Sequence, residues 1–246
     1  MNRVYGLVGY PLKHSFSARF FNDKFHREGI DAEYHNFELE DIGLLPELLQ
    51  QEKNICGLNV TIPYKEKIIP LLTSVSPEAQ SVGAVNVVQI ERDGETARLQ
   101  GYNTDVIGFR KSIEPLLRST HQSALILGTG GAAKAVVFAL KQLGLATQLV
   151  SRTAKAGCMT YGDLTPELMG QYQVIVNCTP LGMFPNEDGC PEIPYEAIST
   201  QHLLYDLVYN PAETLFLRQG RQQGALTKNG LEMLHLQALA SWQLWR

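Results

Sequence analysis

The order of its hydrophobic patterns constrains the fold of this chain of 246 residues more than any other feature. Apolar runs of strand length alternate with amphipathic runs of helical period from the N-terminus onward. A hairpin interrupts the alternation, since Asp93-Gly94 between two extended runs is a strong tight-turn signal. The alternation then restarts after Asp105. The sequence therefore predicts an α/β protein of two units, with an antiparallel element in the first sheet.

The same patterns predict the individual elements. In the first unit we expect strands in RVYGLVGY, AEYHNFEL and GLNVTI, and helices in SARFFNDKFHREG and DIGLLPELLQQEK. Ser17 is the predicted N-cap of the first helix, and Gly29 ends it. In the second unit we expect a helix in VIGFRKSIEPLLR and strands in SALIL, ATQLVS, YQVIVN and HLLYDL. The last stretch predicts a helix whose apolar face contains Leu231, Leu234, Leu239 and Trp242.

Composition excludes several classes of protein. A net charge of -4 gives no general attraction for nucleic acid or for an anionic membrane. The sequence has no apolar stretch long enough for a bilayer and no signal-peptide core. The cysteines show neither CxxC pairs nor metal-like spacing with histidines: Cys56, Cys158, Cys178 and Cys190. We predict a soluble cytoplasmic protein with reduced thiols, without a metal site, that acts on a small molecule.

A glycine-rich turn follows the first strand of the second unit. In LILGTGGAAKAV, Gly128, Gly130 and Ala133 fit the G-x-G-x-x-G/A pattern. Glycines allow a tight turn and let backbone N–H groups approach a pyrophosphate at a helix N-terminus. Such turns also occur for packing alone, but the flanking strand and helix favour dinucleotide binding.

The end of the following strand indicates which dinucleotide. A carboxylate there would accept hydrogen bonds from the ribose of NAD. This chain instead has VSRTAK, in which Arg152 can bind a 2′-phosphate and neighbouring hydroxyls can donate to it. A solvated arginine at a strand end is the alternative. Together with the glycine turn, the pattern favours NADP.

The stretch GLNVTIPYKEK carries polar groups around the end of a buried strand. Asn59, Thr61 and Lys65 surround Pro63 there, at the strand end where open α/β sheets bind ligands. Lys65 and Asp105 together would suit ketone–alcohol chemistry, because hydride delivery to a carbonyl leaves an alkoxide that an ammonium can protonate. Two unrelated surface charges are the alternative.

Two serines stand at the start of the first helix. Ser15 and Ser17 could direct their hydroxyls, with the helix N-terminus, at a carboxylate ligand. Helix capping alone is the alternative. His14 could face the ligand, and a structural histidine is an equal alternative.

In order, these motifs resemble those of the shikimate dehydrogenase family: GYPLKHSFS, GLNVTIPYK, GAVN, GYNTD, GTGGAAKA, SRT, VNCTPLGM, YDLVYNP and NGLEMLHLQA. The resemblance extends from about residue 4 to the last helix. It implies a mixed-sheet substrate domain, 1–105 plus 231–246, to which the C-terminal helix returns, and a Rossmann-like NADP-binding domain, 106–230. It also implies reversible NADPH-dependent reduction of 3-dehydroshikimate to shikimate, a step of chorismate and aromatic amino acid biosynthesis.

The resemblance assigns roles to individual residues. Lys65 would be the acid/base and Asp105 its partner. The implied substrate-binding residues are Ser15, Ser17, Asn59, Thr61, Asn86, Tyr209 and Gln237. The implied cofactor-binding residues are Gly128, Thr129, Gly130, Gly131, Ala132, Ser151, Arg152, Thr153, Lys155, Cys178, Thr179, Leu207 and Gly230.

The chain departs from the family pattern at a few places. Ala18 replaces a proline, Ser151 replaces an asparagine, and AKAGCMTYGDLTPELM is short and predicted to be mostly loop. Three other functions stay open: a quinate-using or broad-specificity relative that prefers NAD, a non-catalytic NADPH-binding sensor, and an enzyme like methylene-tetrahydrofolate dehydrogenase. The sequence leaves both a monomer and a homodimer open.

Overall fold

The computed structural model describes residues 3–12, 16–94 and 96–246. Its contacts divide the chain into two compact units, Met1–Thr104 with Ala238–Arg246 (unit 1) and Asp105–Gln237 (unit 2). This confirms the predicted α/β fold and the return of the C-terminal helix to the first unit. The predicted domain boundaries, 1–105 plus 231–246 and 106–230, stay a prediction. The predictions at Ser15 and His14 lie outside the described residues.

Unit 1 is built on a mixed sheet. Its elements are β1 (Arg3–Gly9), α1 (Phe16–Glu28), β2 (Ala32–Glu38), α2 (Leu45–Gln51), β3 (Ile55–Val60), β4 (Ser74–Val75), α3 (Pro77–Val82), β5 (Val87–Asp93) and β6 (Thr96–Tyr102). The strand order is β2-β1-β3-β5-β6-β4. β1 runs parallel to β2 and β3, whereas β5 runs antiparallel to β3 and β6. The predicted antiparallel hairpin is therefore confirmed.

The first helix begins two residues earlier than an N-cap at Ser17 predicts. Since α1 starts at Phe16, Ser17 lies inside its first turn and the prediction of Ser17 as N-cap is wrong. The two serines are so close that the pattern could not fix the helix start to one residue. The helix ends as predicted, where Gly29 adopts a φ of 62°. Phe21 and Phe25 form its buried face.

Unit 2 is built on a parallel sheet. Its elements are α4 (Asp105–Ile113), β7 (Ser123–Leu127), α5 (Gly131–Gln142), β8 (Ala146–Ser151), β9 (Cys158–Thr160), α6 (Pro166–Met169), β10 (Val174–Asn177), β11 (Leu203–Asp206), α7 (Leu215–Gln222) and β12 (Leu226–Lys228). The strand order β12-β11-β10-β7-β8-β9 is that of a dinucleotide-binding Rossmann fold. The segment predicted as mostly loop contains the short β9 and the four-residue α6.

The last helix, α8 (Leu231–Trp245), passes from unit 2 into unit 1. The predicted apolar face is partly wrong, because Leu231 and Leu239 are exposed. Trp242 is buried as predicted, and Ala238 and Trp245 are buried beside it. Large apolar residues occur all around this helix, so periodicity could not select the buried face. Within the described ranges, no helix is both long and apolar enough to cross a membrane.

Candidate active site

The predicted polar residues of unit 1 meet at the C-terminal end of β3. Asn59 lies on β3 opposite Val87, the first residue of β5, and Asn86 immediately precedes that strand, where its carbonyl accepts from the Val60 N–H over 2.8 Å. Thr61 follows the end of β3, and its backbone N–H donates to the carbonyl of Val8 over 2.9 Å. The structure thus brings Asn59, Asn86 and Thr61 to one end of the sheet.

Lys65 lies in the turn after β3, and its backbone is held beside the same residues. Its carbonyl accepts a hydrogen bond of 2.7 Å from the N–H of Val85, which immediately precedes Asn86. The residue is half-buried. Lys65 belongs to unit 1 and Asp105 to unit 2, so the predicted pairing of their side chains stays a prediction.

A buried hydrogen-bonded chain connects two of the predicted substrate ligands. The hydroxyl of Tyr34 donates to Asn59 Oδ1 over 2.8 Å, and Asn59 Nδ2 donates to Ser241 Oγ over 3.1 Å. Ser241 Oγ lies 3.1 Å from Thr104 Oγ1, and the Thr104 N–H donates to Asn86 Oδ1 over 2.7 Å. We call these five residues the Asn59 network, and none is more than 5% exposed.

Sequence reasoning missed three members of the Asn59 network. Tyr34 fits an ordinary strand pattern. Thr104 lies within the motif GYNTD, in which only Asp105 was given a role. Ser241 offered a usable signal, because a hydroxyl within the apolar run ALASW needs a partner once that run is buried. Ser17 reaches the same region: burial raises the pKa of Tyr34 well above its usual value, and a hydrogen bond with the Ser17 hydroxyl opposes that rise.

Asp105 and Gln237 lie on two helices of unit 2 that approach closely. Asp105 is the first residue of α4 and is buried. One turn later, a Cβ added at Gly108 would lie 2.6 Å from the Met233 carbonyl oxygen and 3.0 Å from Gln237 Cβ. Only glycine lets the helices come this close. The contact therefore places Asp105 and Gln237 on two adjacent helices, α4 and α8.

The glycine turn between β7 and α5 leaves open space in front of a helix N-terminus. Gly128 adopts a φ of +113°, and a Cβ there would lie 3.3 Å from the backbone of Cys178 and from Thr179 Cγ2. A Cβ added at Gly130 would meet nothing within 4 Å, so the space in front of the helix is open. Among the described residues, no side chain caps α5 and no acidic residue stands in its first turn. Its first N–H groups therefore suit an anion.

The end of β8 lies beside this turn. Lys155 Nζ is 3.5 Å from Thr129 Oγ1, which joins two of the predicted cofactor ligands. Arg152 and Thr153 are exposed, and Ser151 is buried with its hydroxyl 3.4 Å from the Thr153 N–H. Lys155 thus reaches the glycine turn, while Arg152 and Thr153 stand exposed at the end of the neighbouring strand β8. This donor set fits a phosphorylated dinucleotide.

Two further predicted cofactor residues are in direct contact. A Cβ added at Gly230 would overlap the carbonyl of Leu207, and the Gly230 N–H donates to the Val208 carbonyl over 3.1 Å. Tyr209 follows in the same loop and is half-buried, and burial raises the pKa of its hydroxyl. The structure therefore groups Leu207, Tyr209 and Gly230 beyond the end of β11.

A fully buried carboxylate, which sequence reasoning missed, supports these loops. Asp206 Oδ1 accepts from Asn177 Nδ2 over 2.9 Å and from the Val208 N–H over 3.0 Å. Its Oδ2 accepts from the Thr214 hydroxyl over 2.5 Å. Burial raises the pKa of Asp206 to about 6, and the three hydrogen bonds oppose that rise. Asp206 thereby links the loops after β10 and β11.

Comparison with known proteins shows which proteins this chain is similar to. Residues 7–88 match the family model described as the shikimate dehydrogenase substrate binding domain. The chain is 37% identical to shikimate dehydrogenase (NADP(+)) of Carboxydothermus hydrogenoformans, over 99% of this chain and 91% of that protein. The crystal structure of shikimate dehydrogenase from Aquifex aeolicus matches with a TM-score of 0.87 at 34% identity, over 100% of this chain and 92% of that one.

Several similar structures contain ligands, and some of them contain both a cofactor and a substrate. One of these is shikimate 5-dehydrogenase from Thermus thermophilus in complex with NADP(H) and shikimate. It matches with a TM-score of 0.85 at 30% identity, and the match covers 99% of this chain and 93% of that one.

Proposed function

Since this chain belongs to the shikimate dehydrogenase family, we propose that it catalyses the reversible NADPH-dependent reduction of 3-dehydroshikimate to shikimate. The observation that carries the proposal is the polar end of β3, where Asn59, Asn86 and the backbone of Lys65 are held together. A cluster of amides and hydroxyls beside a lysine suits a polyol with one reacting oxygen.

We assign the proton transfer to Lys65. Bound NADPH would supply the hydride that reduces the ketone. The oxygen then becomes an alkoxide, and the ammonium of Lys65 donates the proton that completes the alcohol. In the reverse direction the neutral amine accepts the hydroxyl proton. Asp105 is the proposed partner, which binds the same oxygen and orients the lysine.

The remaining polar residues are proposed to bind the ring. Asn59, Thr61 and Asn86 would meet its hydroxyls from unit 1. Gln237 and Tyr209 would contribute from unit 2. Ser17, together with Ser15 outside the described residues, would hold the ring carboxylate. These uncharged polar side chains and the serine pair favour a hydroxylated acid over a folate, which has no comparable set of hydroxyls.

The donor set of unit 2 supports NADP as the cofactor. The backbone from Gly128 to Ala132 would hold the pyrophosphate at the open N-terminus of α5. Ser151, Arg152, Thr153 and Lys155 would hold the 2′-phosphate. Cys178, Thr179, Leu207 and Gly230 would line the rest of the dinucleotide. The cytoplasmic location and the choice between monomer and homodimer stay predictions.

A spectrophotometric assay at about 340 nm tests the proposal directly, because reduced nicotinamides absorb there and the oxidised forms do not. Shikimate and quinate are each offered with NADP⁺ and with NAD⁺. We expect strong reduction of NADP⁺ with shikimate alone. Turnover of quinate or NAD⁺ would place the protein among broad-specificity relatives. Tight binding of NADPH without any turnover would instead identify a sensor.

A further inference from the structure

We propose that Ser241 and Tyr34 are positioning residues, which hold the side-chain amide of Asn59 so that it can only accept a hydrogen bond from the substrate. The inference rests on the proposed function, because it concerns how Asn59 meets a ring hydroxyl. It adds two residues, on β2 and α8, that lie outside the set predicted from the sequence.

The amide of Asn59 has one orientation that satisfies its neighbours. Its Oδ1 accepts from Tyr34, while its Nδ2 donates to Ser241 Oγ over 3.1 Å and to the Asn86 carbonyl over 3.4 Å. A backbone carbonyl can only accept. Turning the amide over would place Asn59 Oδ1 against the oxygen of Asn86 and remove a buried hydrogen bond. The Asn86 carbonyl therefore decides the orientation.

Ser241 links Asn59 to the second amide. Its oxygen accepts from Asn59 Nδ2 and lies 3.1 Å from Thr104 Oγ1, a contact in which either hydroxyl can be the donor. Thr104 approaches Asn86 Oδ1 with its hydroxyl at 3.3 Å and its N–H at 2.7 Å. Asn86 Nδ2 in turn donates to Thr104 Oγ1 over 3.1 Å. The Asn59 network therefore fixes one direction for the Asn59 amide, with Oδ1 towards Tyr34 and Nδ2 towards Ser241.

This direction limits what Asn59 can offer a ligand. An amide nitrogen has two protons, and both are used by Ser241 and by the Asn86 carbonyl. The second lone pair of Asn59 Oδ1 is the position that can meet substrate. At this point the site therefore selects a hydroxyl that donates, and it disfavours an ether or ketone oxygen. Tyr34 and Ser241 contribute to substrate specificity by this route.

Packing alone does not explain a serine at position 241. The residue is fully buried on a helix whose neighbours Trp242 and Trp245 are also buried. Alanine has the higher helix propensity and would leave no polar atom to satisfy. The hydroxyl is instead bonded on both sides. S241A should therefore cost little as packing, and its effect should be on the amide of Asn59.

Steady-state kinetics of shikimate oxidation test the inference. We expect S241A and Y34F each to raise the KM for shikimate about 3- to 10-fold, the effect of one lost hydrogen bond. The kcat should change less than about 2-fold and the KM for NADP⁺ should not change, because neither residue lies in unit 2. S241T keeps the hydroxyl and should restore a KM close to that of the wild type.

Two further variants separate positioning from general loss of packing. Ser112 forms a buried hydrogen bond of 2.7 Å with Tyr205 in unit 2, so S112A removes an equally buried serine hydroxyl there and should leave the KM for shikimate unchanged. In an N59A background, S241A should have little further effect on KM, because the group that it positions is gone.

The outcomes distinguish this inference from the proposed function. A wild-type protein that does not oxidise shikimate overturns the function and the inference together. An active wild type, with folded S241A and Y34F that both keep the wild-type KM, overturns the inference alone. An S241A effect that persists undiminished in N59A also overturns it. If S241A does not fold, the KM and kcat of Y34F and N59A test the inference instead.

Discussion

Asn177 donates from Nδ2 to Oδ1 of Asp206 across 2.9 Å, and this bond joins the ends of two neighbouring parallel strands. The loop after Asn177 begins with two predicted cofactor residues, and the loop after Asp206 begins with a third. Thr214 fixes the other carboxylate oxygen. One buried side chain therefore sets the spacing between two loops of the proposed cofactor site.

The first prediction concerns the pH dependence that Asp206 gives to the free energy of unfolding. Burial raises the pKa of Asp206 from 3.8 to about 6, so the folded protein holds the proton over a pH range in which the unfolded chain has released it. Stability must therefore fall as pH rises between about 4 and 6. D206N cannot titrate, so the free energy of unfolding of the wild type should decrease relative to D206N, by about 3 kcal/mol across this range.

Urea unfolding of both proteins at pH values from about 4 to 7 measures that difference. T214V is the informative companion, because it removes a hydrogen bond that lowers the pKa of Asp206. In T214V the fall in the free energy of unfolding should therefore continue to a higher pH than in the wild type. A difference between wild type and D206N that is flat with pH would contradict the assignment.

Much of the fold could be predicted because its signals are local. The glycine turn, the Asp93-Gly94 hairpin and the alternation of strands and helices each depend on residues close in sequence. The start of α1 was missed by two residues because the sequence offers two serines, Ser15 and Ser17, as candidate caps. The buried face of α8 was missed because Leu231 and Leu239 are as apolar as the residues that unit 1 covers.

The supporting residues of the site could not be predicted, since their partners are distant in sequence. Ser241 bonds to Asn59, 182 positions away, and Tyr34 is separated from Asn59 by 25 positions. Asp206 stood in the motif YDLVYNP, but nothing in the sequence tied it to Asn177 or Thr214. Residues that touch a ligand leave family-specific motifs, whereas residues that hold them in place become visible only in the folded chain.

A second prediction tests the acid/base role of Lys65. K65A should lower kcat about 10²- to 10⁴-fold, because the alkoxide then has no positioned proton donor. The KM for shikimate should change far less. K67A is the matched control, since Lys67 lies in the same turn and is exposed, and it should keep near-wild-type rates. Initial-rate assays of both variants test this role. Near-full turnover of K65A would show that Lys65 is not the acid/base.

A third prediction concerns the choice of dinucleotide. R152Q should raise the KM for NADP⁺ roughly 10- to 100-fold, the effect of losing a hydrogen bond to a charged group. The KM for NAD⁺ should stay nearly constant, because NAD⁺ lacks the 2′-phosphate. R27Q removes an exposed arginine from α1 in the other unit and serves as the charge control. Equal changes for both dinucleotides in R152Q would show that Arg152 does not read the phosphate.

The fourth prediction concerns how the C-terminal helix is seated in unit 1. The Trp245 indole lies directly over Gly57, donates to the Val88 carbonyl over 3.1 Å and stacks on Tyr5 with ring centroids 5.0 Å apart. A methyl group at Gly57 would overlap the indole, so G57A must displace the helix or the strand beneath it. We expect G57A to lower the free energy of unfolding by about 1–3 kcal/mol.

The position of α8 on unit 1 should also affect substrate binding, because Ser241 lies one turn before Trp245 on the same helix. G57A should therefore raise the KM for shikimate as S241A does, in addition to its effect on stability. G170A is the matched control: a Cβ there would lie 3.5 Å from the Glu167 carbonyl, an ordinary contact. It should change the free energy of unfolding by less than about 0.5 kcal/mol. If urea unfolding gives the same stability for G57A and G170A, the close packing of Trp245 on β3 is not what holds the helix in unit 1.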